Sequence, residues 1–146
     1  MENSREVLQK DYSFALKRIQ LLEKSLGIVA KRESDSNYDF DISSSISIDV
    51  EKHLSMHVFA VKVKFKPDNR ELASVSIVCV FDIFNFNEVI STDSTNPSLP
   101  PDLLNLLNTV VIGTMRGVMF SEFRGTALDN LILPVLDPTK FKRTEI

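Results

Sequence analysis

"YSFALKRIQLLEKSLGI", Tyr12 to Ile28, reads two ways, and the choice sets the fold. As a helix it aligns Leu8, Tyr12, Leu16, Ile19, Leu22 and Leu26 on one side. As a strand it places Phe14 and Leu16 together and then, after a slip, Ile19 and Leu21. Periodicity alone does not separate the two. The polar stretch Lys31 to Asn37 then reads as a loop.

Downstream the pattern is cleaner. Phe40, Ile42, Ser44, Ile46, Ile48 and Val50 alternate with Asp41, Ser43, Ser45, Ser47 and Asp49, which is a strand with one wet face. After a turn at "EKHLS", His57, Phe59, Val61, Val63 and Phe65 share a second strand's face. Met56, Val58, Ala60, Lys62, Lys64 and Lys66 share its other face. "PDNR", Pro67 to Arg70, reads as a tight turn. A third strand has Val75, Ile77, Cys79, Phe81 and Ile83 on one side and Val78, Val80, Phe84 and Phe86 on the other. Short connections predict an antiparallel meander.

"STDSTNPSLPPD" is a linker and helix-start signal, with Pro100 and Pro101 where a first turn accepts proline. The helix is expected from about Leu103 to Phe123. Its single charge between Leu103 and Ser121 is Arg116, and apolar residues occur all around it. An ordinary surface helix shows one apolar stripe. A membrane span fits by length, but Asn105, Asn108, Thr109, Thr114 and Arg116 argue against it, as does its position after a soluble sheet. Gly113 and Gly117 each cost about 1 kcal/mol against alanine in a helix interior. Two uses compete for them: tight packing on the chain's own sheet, or close approach of another subunit's helix. The second use assigns Val110, Gly113, Thr114, Gly117 and Ser121 to an oligomer interface.

The 146 residues, 43% apolar and 25% charged, have the balance of one soluble domain over 1–146, with 1–11 expected to be flexible. A net charge of -3 without a basic patch disfavours nucleic acid. Cys79 is the sole cysteine, so it makes no intrachain disulfide and reads as a small core residue. The opening residues lack the features of a secretory leader, and the cytoplasm is the expected compartment.

Nothing in the sequence points to catalysis. There is no HExxH, P-loop or GxGxxG motif, and no cofactor or metal is expected. His53 and His57 would stand about 13 Å apart on a strand rising about 3.3 Å per residue, too far for one ion. Asp82 reads as a structural acid near an edge, and Glu122 and Arg124 as a solvated set. Aromatic surface, by contrast, is abundant: ten phenylalanines and no tryptophan.

Arg124-Gly125-Thr126, then Pro134-Val135 eight residues after the threonine, then Phe141 seven further on, resemble the SecB family of protein-export chaperones. Its long helix ends in Arg-Gly-Thr and its crossover keeps both spacings. The resemblance covers 98–141 by motif and 12–141 by element order. It implies that Tyr12–Ile28 is the first strand. It implies an α+β fold, a four-stranded antiparallel sheet with one long helix and a short C-terminal helix. It implies a dimer of dimers with long helices meeting between subunits. Function would be ATP-independent holding of unfolded polypeptide clients in apolar grooves, with Phe84, Phe86, Phe120, Phe123, Leu128, Leu131 and Leu133 as candidate client contacts. Extended clients suit such a surface, since sheet edges offer main-chain hydrogen bonds and shallow contacts tolerate many sequences.

The departures bear on partners. The family's Phe-Pro is Ala127-Leu128 here, and its Asn-Phe-Asp is Leu136-Asp137-Pro138. The sequence given stops five residues after Phe141, which weighs against docking to the SecA motor. A SecB-like protein serving an antitoxin or another narrow client set is the near alternative. An adaptor for one folded partner is the next, and a carrier with a pocket around Asp82 and Phe84 the last.

Overall fold

The computed structural model describes residues 11–29, 31–91, 96–136 and 143–145. Residues 1–10, Asp137, Pro138 and Phe141 lie outside them. The elements are β1 (Phe14–Leu26), β2 (Tyr38–Asp49), β3 (Leu54–Phe65), β4 (Arg70–Ile83), a short helix α1 (Phe86–Val89), the long helix α2 (Pro101–Glu122) and β5 (Arg143–Glu145). Strand order is β1-β4-β3-β2-β5. The first four strands pair antiparallel, and β5 lies parallel on β2. The fold is α+β: a four-stranded antiparallel sheet carrying one long helix.

Tyr12–Ile28 is therefore strand rather than helix. Register explains the ambiguous pattern. Phe14 and Leu16 lie opposite Ile83 and Phe81, and Ile19 and Leu21 opposite Cys79 and Ile77. Register shifts between Leu16 and Arg18 and between Leu21 and Glu23 are bulges, which insert one residue and reset the alternation. The break between Leu16 and Ile19 is the first bulge.

The meander follows the alternation. On the helix-facing side β4 buries Val75, Ile77, Cys79, Phe81 and Ile83, and β3 buries His57, Phe59, Val61 and Val63. Their rows meet Phe40, Ile42, Ser44, Ile46 and Ile48 of β2. Helix α2 closes this side with Leu103, Leu104, Leu107, Val111, Ile112, Met115 and Met119. That spacing of three and four is one stripe of a helix. Each large side chain so buried stabilises the fold by about 1.5–3 kcal/mol before entropy is counted. By length and composition α2 would cross a membrane, but its buried stripe is part of this core.

Two expectations change. Strand β4 ends at Ile83, so Phe84 and Phe86 are not on its outer face. Phe84 is exposed, while Phe86 turns inward and stacks on His53 with ring centroids 4.5 Å apart. His53 is in the β2–β3 turn with φ 56°, off the strand that holds His57. The short C-terminal helix does not occur among the described residues. After α2, residues 123–130 run in turns, 131–136 are irregular and 143–145 is strand, and 137–142 lie outside the described residues.

Candidate functional site

Three surfaces expose apolar side chains. Strand β1 is exposed almost throughout. Among the described residues it pairs with β4 alone, so its other side is an open sheet edge. Leu16, Ile19, Leu21, Leu22 and Leu26 are each between 37% and 49% exposed. Charges sit towards its ends, Lys17 within 4.0 Å of Asp82 and Lys24 within 2.9 Å of Glu122. The middle, Ile19 to Leu22, is uncharged. Natural edges are usually blunted by charge, proline or short length. This one is long, with paired charges and a bulge on either side of a short uncharged centre.

The outer face of α2 is the second surface. Leu106, Thr109, Gly113, Gly117, Phe120 and Ser121 are exposed, with Val110 and Thr114 half-buried beside them. A Cβ built on Gly113 or Gly117 would meet nothing within 4 Å. Packing on the chain's own sheet is thus ruled out as the use of these glycines. The hydroxyls of this face are spent locally: Thr109 Oγ1 donates to Asn105 O and Thr114 Oγ1 to Val110 O, each at 2.8 Å. Arg116 turns aside and donates to Leu133 O and Pro134 O. What remains is a smooth, uncharged strip.

The third surface lies in two adjoining connections. Helix α2 stops where Gly125, at φ +77°, takes the left-handed conformation that favours glycine. Thr126 Oγ1 donates to Phe123 O and accepts from Leu128 N. Arg-Gly-Thr is thus a helix stop and turn. Beyond it Leu128, Leu131 and Leu133 point inward and are buried, while Ile132 and Val135 point outward at 56% and 94% exposed. Arg32 Nε donates to Asp129 O at 3.3 Å, which holds the connection after β1 against this crossover. That connection carries Ile28, 97% exposed.

The candidate client contacts divide by exposure. Phe86, Phe123, Leu128, Leu131 and Leu133 are core residues, at most 3% exposed, and no client reaches them in this conformation. Phe84 and Phe120 are exposed but far apart. Ile83 lies opposite Phe14, whereas Glu122 is paired with Lys24, a neighbour of Val75. Eight β4 residues separate these places, about 26 Å at about 3.3 Å per residue. The sequence reading missed the exposure of Ile28, Ile132 and Val135. Ile132 alternates with Leu131 and Leu133, a short period-two signal, whereas Val135 is in phase with those two leucines and its exposure breaks the pattern.

The residues screened for chemistry are structural. Cys79 is buried, and desolvation pushes its thiol up to about 11. His57 Nε2 is 2.7 Å from Ser55 Oγ inside the core. Asp82 is half-exposed beside Lys17. Among the described residues no group of three His, Cys, Asp or Glu side chains could hold a metal ion.

No family profile and no curated protein sequence matches the chain. Eight chains of solved structures match it. One is the SecB-like chaperone Rv1957 of Mycobacterium tuberculosis, in complex with a ChAD peptide from the Rv1956 HigA1 antitoxin. Identity is 13% and the TM-score 0.55, over 84% of this chain and 90% of that one. The two share a fold.

Proposed function

We propose that the chain is an ATP-independent chaperone of SecB-like architecture that holds unfolded or non-native polypeptides in the cytoplasm. The observation that carries this reading is where its most exposed apolar side chains lie. Ile28, Phe84, Ile132 and Val135, all more than half exposed, are in connections rather than in regular elements. Connections adapt to an irregular partner, and such surfaces suit many sequences. The peptide bound to the SecB-like neighbour supports the same reading.

The other two surfaces suit a different partner, further copies of this chain. A dimer of dimers with closed symmetry needs two distinct self-complementary interfaces. The β1 edge and the strip around Gly113 and Gly117 supply two. On this reading Ile28, Ile132 and Val135 stay open at the rim, where clients bind.

The test is suppression of aggregation. Without ATP, the protein should prevent reduced insulin chains from aggregating near stoichiometric ratio. The triple variant Ile28→Ser, Ile132→Ser, Val135→Ser should fold normally and lose that effect. Full protection by the triple variant would remove the rim from the account. A narrower role, with one dedicated client such as an antitoxin segment, draws on the antitoxin origin of the neighbour's peptide. It predicts that insulin and unrelated unfolded chains go unprotected.

A further inference from the structure

The sheet has a second edge, and part of this chain already sits on it. Strand β2 is twelve residues long, but β5 covers only Ser44, Ser45 and Ile46, opposite Arg143, Thr144 and Glu145. The rest of that edge pairs with no strand among the described residues. Its charges lie at the ends: Asp39 and Asp41 on one side, Asp49 on the other, with Asp41 held by Lys64 at 2.5 Å. Between them Ile42 to Ile48 is uncharged, and β5 occupies the centre of that window. The pairing is parallel and short, the weaker arrangement per residue. Phe40, Ile42 and Ile48 pack on the core from this edge and stay only partly buried.

We propose that the β2 edge is a docking site for an extended polypeptide segment, and that β5 is a displaceable strap occupying it. The segment it fits has apolar residues at every second position, to cover Phe40, Ile42 and Ile48, and polar residues between them, beside Ser43, Ser45 and Ser47. Main-chain hydrogen bonds to β2 replace those of β5. An occupied strap lowers apparent affinity by the fraction of time the edge is open. This inference rests on the polypeptide-binding reading above.

The test compares the full chain with the double variant Thr144→Pro, Glu145→Pro, which removes two adjacent donors from β5. The probe is reduced, carboxymethylated α-lactalbumin, a permanently unfolded chain. The variant should bind it about threefold or more tightly than the parent. Amides of Ile42 to Ile48 should exchange faster in the unliganded variant and become protected with the probe. Equal affinity in both proteins, or tighter binding without protection of β2, would overturn the strap and leave the chaperone reading intact. Binding by neither would overturn both. Growth in mass of the variant alone by light scattering would give the edge to a second copy and overturn the proposal as well.

Discussion

Cys79 shows how little a residue's chemistry says before its burial is known. Its neighbours are β-sheet apolar residues, and it lies wholly inside the core. Burial raises the thiol from 9.0 to about 11. The fold therefore favours the neutral thiol, and its contribution to stability is complete below about pH 9 and lost as pH rises through 11. The urea midpoint should fall more steeply between pH 9 and 11 in the parent than in Cys79→Ala. At pH 8 a thiol-reactive disulfide probe should label the protein only after unfolding. Rapid labelling of the native protein would place Cys79 at the surface. Gly113 and Gly117 make the opposite case, since their surroundings are empty. Gly113→Ala or Gly117→Ala should stabilise the isolated chain by about 0.5–1 kcal/mol, read from chemical denaturation. Gly117→Leu should instead weaken assembly by steric clash while the sheet stays folded. An unchanged oligomer by light scattering would reject the interface role of that face.

At the scale of elements, the edge and the crossover behave differently. Leu21→Lys puts a charge into the uncharged middle of the β1 edge. Leu21 is already 41% exposed, so stability should change by less than about 1 kcal/mol while subunit association weakens. A large loss of stability without a change in mass would mean that β1 serves only the core. Arg116→Ala removes the donors to Leu133 O and Pro134 O. It should cost about 1–3 kcal/mol and speed hydrogen exchange through residues 128–133. The legibility of each element follows from its regularity. β2, β3 and β4 keep alternation over most of their length, with one bulge where Val63 and Lys64 meet β4, so alternation alone located them. β1 resets its alternation at two bulges, so its residues fit a helix equally well until a partner strand sets the register. Phe84 and Phe86 continue the apolar pattern of β4 past Ile83, but the chain turns there, and the one local signal is Asn85 between them. The burial of most candidate client contacts was illegible for a related reason. Apolar residues after a helix stop look uncovered in a sequence, whereas Leu128, Leu131 and Leu133 complete the core beneath α2.

At the scale of the whole molecule, one sheet carries a helix on one side, with its β1 edge open and its β2 edge covered at the centre by β5. The outer face of α2 is smooth and uncharged and the β1 edge leaves main-chain groups unpaired, which suits pairing with identical copies. The connections at Ile28, Ile132 and Val135 are irregular, which suits unfolded partners. On the proposed function, assembly falls to α2 and β1 and client binding to the connections. That division is tested most directly by multi-angle light scattering on the purified protein, alone and with reduced, carboxymethylated α-lactalbumin. The account predicts an oligomer, a dimer or tetramer, that takes up the unfolded chain without ATP and keeps its subunit number. A monomer that ignores the unfolded chain would contradict both the assembly and the chaperone reading, leaving a shared fold and no shared work.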